Sequence, residues 1–187
     1  MRFEYLFGIW NLIFVILRKQ ISKLKTLLLI RHAKSSWDDV TQKDFDRPLN
    51  ERGKKDAPAM AKRLHKEKEV DLDAIISSPA KRAFTTAKFF ADEFDIKKKN
   101  IIEWPELYEA YLDKFYSAVR NLNDDYTSVA LFSHNPGITA FANSLTNARI
   151  DDMPTCAVFA IHIKTNSWKD FEAAAKEFWF FDYPKNH

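Results

Sequence analysis

At 187 residues and 46% hydrophobic content, the chain is large and apolar enough to form one folded domain with a buried core, which excludes an intrinsically disordered chain. Its formal net charge of +3 comes from 29 Lys plus Arg against 26 Asp plus Glu, and because the lysine runs are short and scattered we expect no nucleic-acid partner. Cys156 is the only cysteine, which excludes an intrachain disulfide and a cysteine-based zinc site and favours a reducing, cytoplasmic location.

The first 23 residues differ in composition from the rest of the chain. Residues 5–17 are almost wholly apolar and are followed by a basic flank. The stretch is shorter than the ~20 apolar residues of a membrane-spanning helix, and it lacks the small-residue cleavage site of a secretory signal. It fits a peripheral membrane anchor, a docking segment for a partner, or a start site assigned too far upstream. We therefore predict an apolar extension over residues 1–23 and a folded domain over residues 24–187.

Apolar runs of strand length and helical stripes alternate along the rest of the chain. The predicted strands, in chain order, are residues 26–30, 73–77, 101–104, 127–133, 157–163 and 177–183. Residues 33–46 are predicted to form a polar loop. One helix is predicted in each of the four connections that join the first five strands, with N-caps at Asn50, Ser78 and Asn135. This alternation predicts an α/β fold with three α/β/α layers, in which a mostly parallel sheet carries an antiparallel edge.

Three of the predicted strands end at residues that are suited to bind an anion. Arg31 and His32 follow the first strand, Arg82 falls in the first helical turn after the second, and His134 follows the fourth. Ligands of an open α/β sheet bind outside the carboxyl ends of its strands. Two guanidiniums and two imidazoles would repel one another there unless an anion lay between them, and a phosphoryl group matches bidentate arginine. We predict a phosphate pocket formed by Arg31, Arg82 and His134 beside His32.

His32 is the predicted nucleophile. A neutral imidazole attacks phosphorus without first losing a proton, and it leaves readily from the phosphoramidate that it forms. One ring nitrogen must be held by a hydrogen bond, most simply to a backbone carbonyl near the following loop. The arginines and the helix N-termini after Ser78 and Asn135 would stabilise negative charge on the phosphoryl oxygens, and His134, if protonated, would add a third positive donor. We expect no metal ion and no cofactor, because these groups supply the positive charge.

A carboxylic acid at the rim of the pocket is needed to protonate the leaving oxygen. Glu109, in the loop after Trp104-Pro105, is the first choice, with Glu106 and Asp38 behind it. Carboxylates in loops are most often solvated surface charges, which is the competing interpretation of each of them. The remaining histidines are predicted bystanders: His65, His162 and His187.

Four segments, in this order along the chain, resemble the motifs of the histidine phosphatase superfamily, in the short branch that contains the SixA-type phosphohistidine phosphatases. They are Thr26–Trp37, Asp46–Gly53, Ser77–Ala87 and Ser133–Gly137. The similarity extends from about Leu24 to the Tyr183-Pro184 region, so it covers the chain beyond the N-terminal extension.

The resemblance implies a phosphoglycerate mutase-like fold and a metal-independent phosphatase. It implies that His32 is transiently phosphorylated and that Arg31, Arg82 and His134 hold the phosphate. Larger members carry an acidic residue at a position like that of Glu109, whereas some short members have no clear proton donor there. A substrate with phosphate bonded to nitrogen has a better leaving group and needs less help from an acid.

The connections between elements are short, whereas larger branches carry insertions that cover the site and select the substrate. We therefore expect an open pocket, and as substrate a phosphorylated protein, with phosphohistidine as the first choice, or a small phosphorylated metabolite. The alternative from another class is a non-catalytic phosphate-binding module that is tethered to a membrane by the N-terminal segment. A phosphomutase is less favoured, because it needs a lid that the sequence does not supply.

Overall fold

The described part of the chain begins at the first strand. The structure is a computed structural model and describes residues 24–186. The predicted apolar extension of residues 1–23, with its proposed membrane contact, lies outside the described residues, as does His187. Between residues 24 and 186, no helix is long and apolar enough to cross a membrane.

A six-stranded mixed sheet is the centre of the fold. Its strands are β1 (Leu24–Arg31), β2 (Ala74–Ser77), β3 (Ile102–Glu103), β4 (Ser128–Ser133), β5 (Val158–Lys164) and β6 (Lys176–Asp182). The order across the sheet is β3-β2-β4-β1-β5-β6, in which the pairs β1–β5 and β5–β6 are antiparallel and the other three pairs are parallel. The predicted α/β fold with an antiparallel edge is confirmed.

Helices cover both faces of this sheet. They are α1 (Glu51–Lys66), α2 (Lys81–Glu93), α3 (Leu112–Arg120) and α4 (Gly137–Leu145). Single 3-10 turns lie at Asp44–Asp46, Lys98–Asn100, Pro105–Leu107 and Trp168–Asp170. The first of these turns falls in the loop between β1 and α1, which the sequence predicted to be irregular.

Strand β1 contributes to two hydrophobic cores, one on each face of the sheet. Leu27 is fully buried in a cluster with Phe115 of α3, and Leu28 is fully buried in a cluster with Met60 of α1 and Phe90 of α2. Each fully buried side chain of this kind stabilises the fold by about 2 kcal/mol. Because both faces are covered, β1 is a continuous apolar run rather than an alternating one, as expected for a strand that is buried on both faces.

The predicted N-cap of α1 is confirmed. The Asn50 side-chain oxygen accepts a hydrogen bond from the backbone N–H of Gly53 at 2.9 Å. This bond satisfies one of the N–H groups that a helix leaves unpaired at its start.

The other two predicted N-caps are wrong. Helix α2 begins at Lys81, and Ser78 lies before it with its hydroxyl bonded to His134. Helix α4 begins at Gly137, and the Asn135 side chain binds groups outside the first helical turn as well as the Thr139 hydroxyl. The Ser78 hydroxyl also accepts from the Ala80 N–H at 3.3 Å, but Ala80 precedes the first residue of α2, so neither side chain caps its helix.

Gly53 lets α1 approach the loop that follows His32. A Cβ atom at Gly53 would lie 2.2 Å from the Lys34 carbonyl oxygen, which is backbone and cannot move aside cheaply. The same oxygen accepts a hydrogen bond from the Asn50 N–H at 3.0 Å. The start of α1 and the residues after His32 therefore hold each other in place.

We predict that Gly53→Ala lowers the free energy of unfolding by about 1–3 kcal/mol, because the added methyl group displaces the Lys34 backbone. In an ordinary helix interior the same change stabilises by about 1 kcal/mol. Urea unfolding measures the difference. The control is Ala59→Gly at an exposed position of α1, which should destabilise by about 1 kcal/mol. A Gly53→Ala protein as stable as the parent would contradict this account of the contact.

Candidate active site

The carboxyl ends of β1 and β4 place two histidines side by side. The strands are parallel neighbours with Arg31 opposite Ser133, so the next residue of each is a histidine at the same edge of the sheet. The ring centroids of His32 and His134 lie 5.0 Å apart. Arg82 reaches them from α2, and its Nε donates to His32 Nε2 at 3.3 Å. The structure therefore brings together the four side chains that the sequence analysis selected for the phosphate pocket.

A cleft of about 270 Å³ opens beside these residues. The predicted residues that line it are Arg31, His32 and Arg82, and the loop between β1 and α1 contributes Trp37, Asp44 and Arg47 among others. Within the described chain, no group of three or more His, Cys, Asp or Glu side chains could hold a metal ion.

The His32 ring is held as one neutral tautomer. Its Nδ1 lies 2.8 Å from the Ala33 carbonyl oxygen, which can only accept, so Nδ1 carries the hydrogen. The other nitrogen, Nε2, then presents a lone pair that accepts from Arg82. Burial lowers the pKa of His32 to about 3. The hydrogen bond to Ala33 acts to raise this pKa, and the charges of the nearby arginines lower it further. The ring is neutral at neutral pH, as a nucleophile requires.

His134 is neutral as well, so the condition under which it would add a positive charge, a protonated ring, is not met at neutral pH. Burial lowers its pKa to about 2, with further contributions from His32, Arg82 and Arg31. Its Nε2 is 2.8 Å from the Ser78 hydroxyl. A neutral ring carries a single hydrogen, so Nδ1 can donate only when the Ser78 hydroxyl donates to Nε2.

Two buried nitrogen atoms next to His32 lack a hydrogen-bond partner among the described residues. They are Arg31 Nε and His134 Nδ1. The Arg31 guanidinium is held in place through Nη1, which donates to Asp152 at 3.2 Å and to the Met153 carbonyl at 2.5 Å. A buried polar atom without a partner costs about 1–3 kcal/mol, and such atoms are rare in folded proteins. Two of them beside one imidazole indicate a place for an acceptor-rich ligand.

The loop between β1 and α1 adds two charged residues that the sequence analysis did not select. Asp44 Oδ2 accepts from Arg82 Nη2 at 2.8 Å, and Oδ1 accepts from Arg47 Nη1 at 2.9 Å. Arg47 is buried, and its guanidinium stacks on the Trp37 indole at 3.3 Å from the ring centroid. A carboxylate of the protein itself thus lies between two arginines, whereas the sequence analysis considered only a bound phosphate there. The motif around Arg47 was recognised, but a polar loop has no periodicity that shows which side chains point inward.

The three carboxylates that the sequence analysis named as proton donors are exposed. Glu109 follows Tyr108, has a left-handed backbone with φ of 52°, and is not among the residues that line the cleft. Glu106 is exposed in the same loop, and Asp38 accepts a hydrogen bond from the Ser36 hydroxyl. The assignment of Glu109 as the acid stays a prediction. Two predicted bystanders have partners of their own outside the cleft lining: His65 with Glu93, and His162 with Trp179.

Comparison with known proteins agrees with this geometry. The histidine phosphatase superfamily, branch 1, matches residues 27–116, a range that contains His32, Arg47 and Arg82. The chain belongs to the histidine phosphatase superfamily. It is a phosphatase of that superfamily.

Two curated relatives and one solved structure illustrate the similarity. An uncharacterised chloroplast protein of Arabidopsis thaliana is 30% identical over 154 residues, which cover 78% of this chain and 70% of the relative. Phosphoserine phosphatase 1 of Hydrogenobacter thermophilus is 43% identical over 82 residues, but these cover only 41% of this chain and 37% of the relative. The protein histidine phosphatase SixA complexed with tungstate superposes with a TM-score of 0.73 at 21% identity, over 86% of this chain and 98% of SixA. At that identity the superposition shows a shared fold.

We predict that the protein loses stability as the pH falls below about 6.5, partly because of the two buried histidines. The unfolded chain binds a proton at each histidine near pH 6.5, whereas the folded protein does not until about pH 3 or 2, so unfolding is favoured throughout that window. Urea unfolding measures the free energy of unfolding at about pH 7 and about pH 5. Between these two values we expect it to fall by about 1–2 kcal/mol less in His134→Asn than in the parent protein. Equal losses in both proteins would mean that His134 is not held neutral.

Proposed function

We propose that the protein removes phosphoryl groups by way of a phosphohistidine intermediate on His32, with residues 24–187 as its catalytic domain. The observation that carries this proposal is the state of the His32 ring, which is neutral, fixed by its bond to Ala33, and directs its Nε2 lone pair toward Arg82. An imidazole in this state attacks phosphorus without a general base.

The surrounding side chains suit a bound phosphoryl group. Arg82 is a planar donor next to Nε2, and the unpartnered Nε of Arg31 can donate to a phosphoryl oxygen. The unpartnered Nδ1 of His134 donates to a phosphoryl oxygen in the tautomer in which its Nε2 accepts from the Ser78 hydroxyl. Donors that are already in position stabilise the charge that spreads over the phosphoryl oxygens in the transition state. A phosphoryl dianion would also raise the depressed pKa of His134 and strengthen its hydrogen bond.

The reaction has two halves. In the first, the His32 Nε2 lone pair forms a bond to phosphorus while the bond from phosphorus to the leaving atom breaks and the leaving atom takes up a proton. In the second, water forms a bond to phosphorus, gives up a proton, and the bond from phosphorus to Nε2 breaks. Inorganic phosphate and neutral His32 are then regenerated.

The substrate that we propose is phosphohistidine on a protein, with small phosphomonoesters as the second class. A volume of about 270 Å³ is at the small end for sites that enclose whole metabolites. Trp37 at the cleft is 69% exposed, so the mouth is open rather than covered by an insertion. A side chain that projects from another protein can enter such a cleft, while the remainder of the substrate stays outside.

The intermediate is testable by trapping. Brief incubation with a ³²P-labelled phosphohistidine protein should label the enzyme with an adduct that is stable in alkali and labile in acid. We expect His32→Asn to form no adduct and to lose turnover by on the order of 10³-fold or more. The matched control is His65→Asn, a partly exposed histidine whose partner is Glu93, and it should label normally. Full activity in His32→Asn would refute the proposed mechanism.

Substrate choice needs a separate measurement. We expect kcat/KM for a phosphohistidine protein to exceed that for a phosphoserine peptide and for glucose 6-phosphate by about tenfold or more, because the imidazole leaving group is better and the cleft is open. The three substrates should be compared at one pH with the same enzyme preparation. A higher kcat/KM for glucose 6-phosphate would instead assign the protein to the small phosphomonoesterases.

A further inference from the structure

Asp44 is a carboxylate in contact with the side chains that surround His32. It lines the cleft together with His32 and Arg82, yet its side chain is 48% exposed, whereas that of Arg82 is 8% exposed. Its Oδ2 accepts hydrogen bonds from Arg82 Nη2 at 2.8 Å and from the Tyr108 hydroxyl at 3.1 Å. Asp44 is thus held at the cleft and is accessible to a molecule that enters from solvent.

One guanidinium connects this carboxylate to the nucleophile. Arg82 donates from Nε to His32 Nε2 at 3.3 Å and from Nη2 to Asp44 Oδ2 at 2.8 Å. Since both donors belong to the same rigid plane, the imidazole and the carboxylate lie at neighbouring edges of one group. A phosphoryl group that binds Arg82 and accepts attack from His32 is therefore also close to Asp44.

The charges around Asp44 set its protonation. Burial alone would raise its pKa, but the hydrogen bond and charge of Arg82 outweigh burial, and Tyr108 and Arg47 add to that effect, so the net pKa is lowered and the group is ionised. The negative charge of Glu109 also lies near this group, where it raises the pKa of the Tyr108 hydroxyl. A phosphoryl dianion would compete for Arg82 and place negative charge beside the carboxylate. Like charges that share a site raise the pKa of one of them, so substrate binding favours protonation of Asp44.

We infer that Asp44 is the residue that donates a proton to the leaving group. The inference rests on the proposed function, in which His32 takes the phosphoryl group. As the bond from phosphorus to the leaving oxygen or nitrogen breaks, that atom takes its electron pair and the proton of the Asp44 carboxyl group. In the second half-reaction, the Asp44 carboxylate takes a proton from the attacking water, which returns it to the protonated form that it has in the substrate complex. When phosphate leaves, Asp44 releases this proton to solvent and is ionised again.

Asp44 fits this role better than Glu109 does. Both carboxylates are exposed, but Asp44 lines the cleft and contacts the arginine that contacts His32, whereas Glu109 does not line it. Asp44 belongs to the 3-10 turn Asp44–Asp46, which also contains an exposed carboxylate, Asp46. The neighbouring Asp46 therefore supplies a control that removes the same charge from the same turn.

The test is how strongly kcat/KM of each variant depends on the leaving group of the substrate. Phenyl phosphate and 4-nitrophenyl phosphate have similar shapes, but the phenolate leaves poorly and needs a proton, whereas 4-nitrophenolate leaves well. We expect Asp44→Asn to lower kcat/KM by about 100-fold for phenyl phosphate and by less than about threefold for 4-nitrophenyl phosphate. Asp46→Asn should change neither by more than about twofold.

The other outcomes separate this inference from the proposed function. An equal loss on both substrates in Asp44→Asn would overturn it, since an acid acts selectively on poor leaving groups. A selective loss in Glu109→Gln, with none in Asp44→Asn, would overturn it in favour of Glu109. Activity of His32→Asn on both substrates would instead refute the phosphohistidine mechanism, whatever Asp44 does.

A binding measurement checks the proton without turnover. Sulfate is a dianion that does not titrate near neutral pH, and calorimetric titration in two buffers of different ionisation enthalpy counts the protons taken up when it binds. We expect the parent protein to take up more protons than Asp44→Asn at about pH 6, and Asp46→Asn to match the parent. Equal uptake by the parent and Asp44→Asn would contradict protonation of Asp44 by a bound anion.

Discussion

The hydrogen bond from the His32 ring to the Ala33 carbonyl is the constraint on which the chemistry depends. It joins adjacent residues, so the geometry of the chain as it leaves β1 is enough to set which ring nitrogen carries the hydrogen. Burial then keeps the ring neutral. The backbone that positions His32 is itself fixed, because the Cys156 N–H donates to the Arg31 and His32 carbonyl oxygens, both at 3.1 Å. The proposed nucleophile is thus oriented by main-chain contacts at the end of the central strand.

Carboxylates of the protein balance the arginines at this site. Asp44 accepts from Arg82 and Arg47, and Asp152 accepts from Arg31. Both carboxylates are on loops and at least 48% exposed, whereas the three arginine side chains are largely buried. The cations are therefore held in place by partners that solvent can reach and that an anionic substrate can compete with. This arrangement keeps the donors oriented without leaving their charges unpaired inside the protein.

The sequence predicted those parts of the molecule that have a local signal. The unbroken apolar run of β1 identified a central strand, and strand ends located His32 and His134, because parallel neighbours end at one sheet edge. It did not select Asp44, whose inward direction is set by Arg82, a residue 38 positions away in the chain. The caps at Ser78 and Asn135 were mispredicted because capping preference is weak beside the tertiary contacts that these side chains make.

The most direct test of the account is nitrogen NMR of the ¹⁵N-labelled imidazole rings at about pH 6, with His32 assigned by comparison with His32→Asn. The account predicts a neutral His32 ring with its hydrogen on Nδ1 and a lone pair on Nε2. A His32 ring that is protonated on both nitrogens, or whose single hydrogen is on Nε2, would contradict it, because the atom assigned to attack phosphorus would then have no free electron pair.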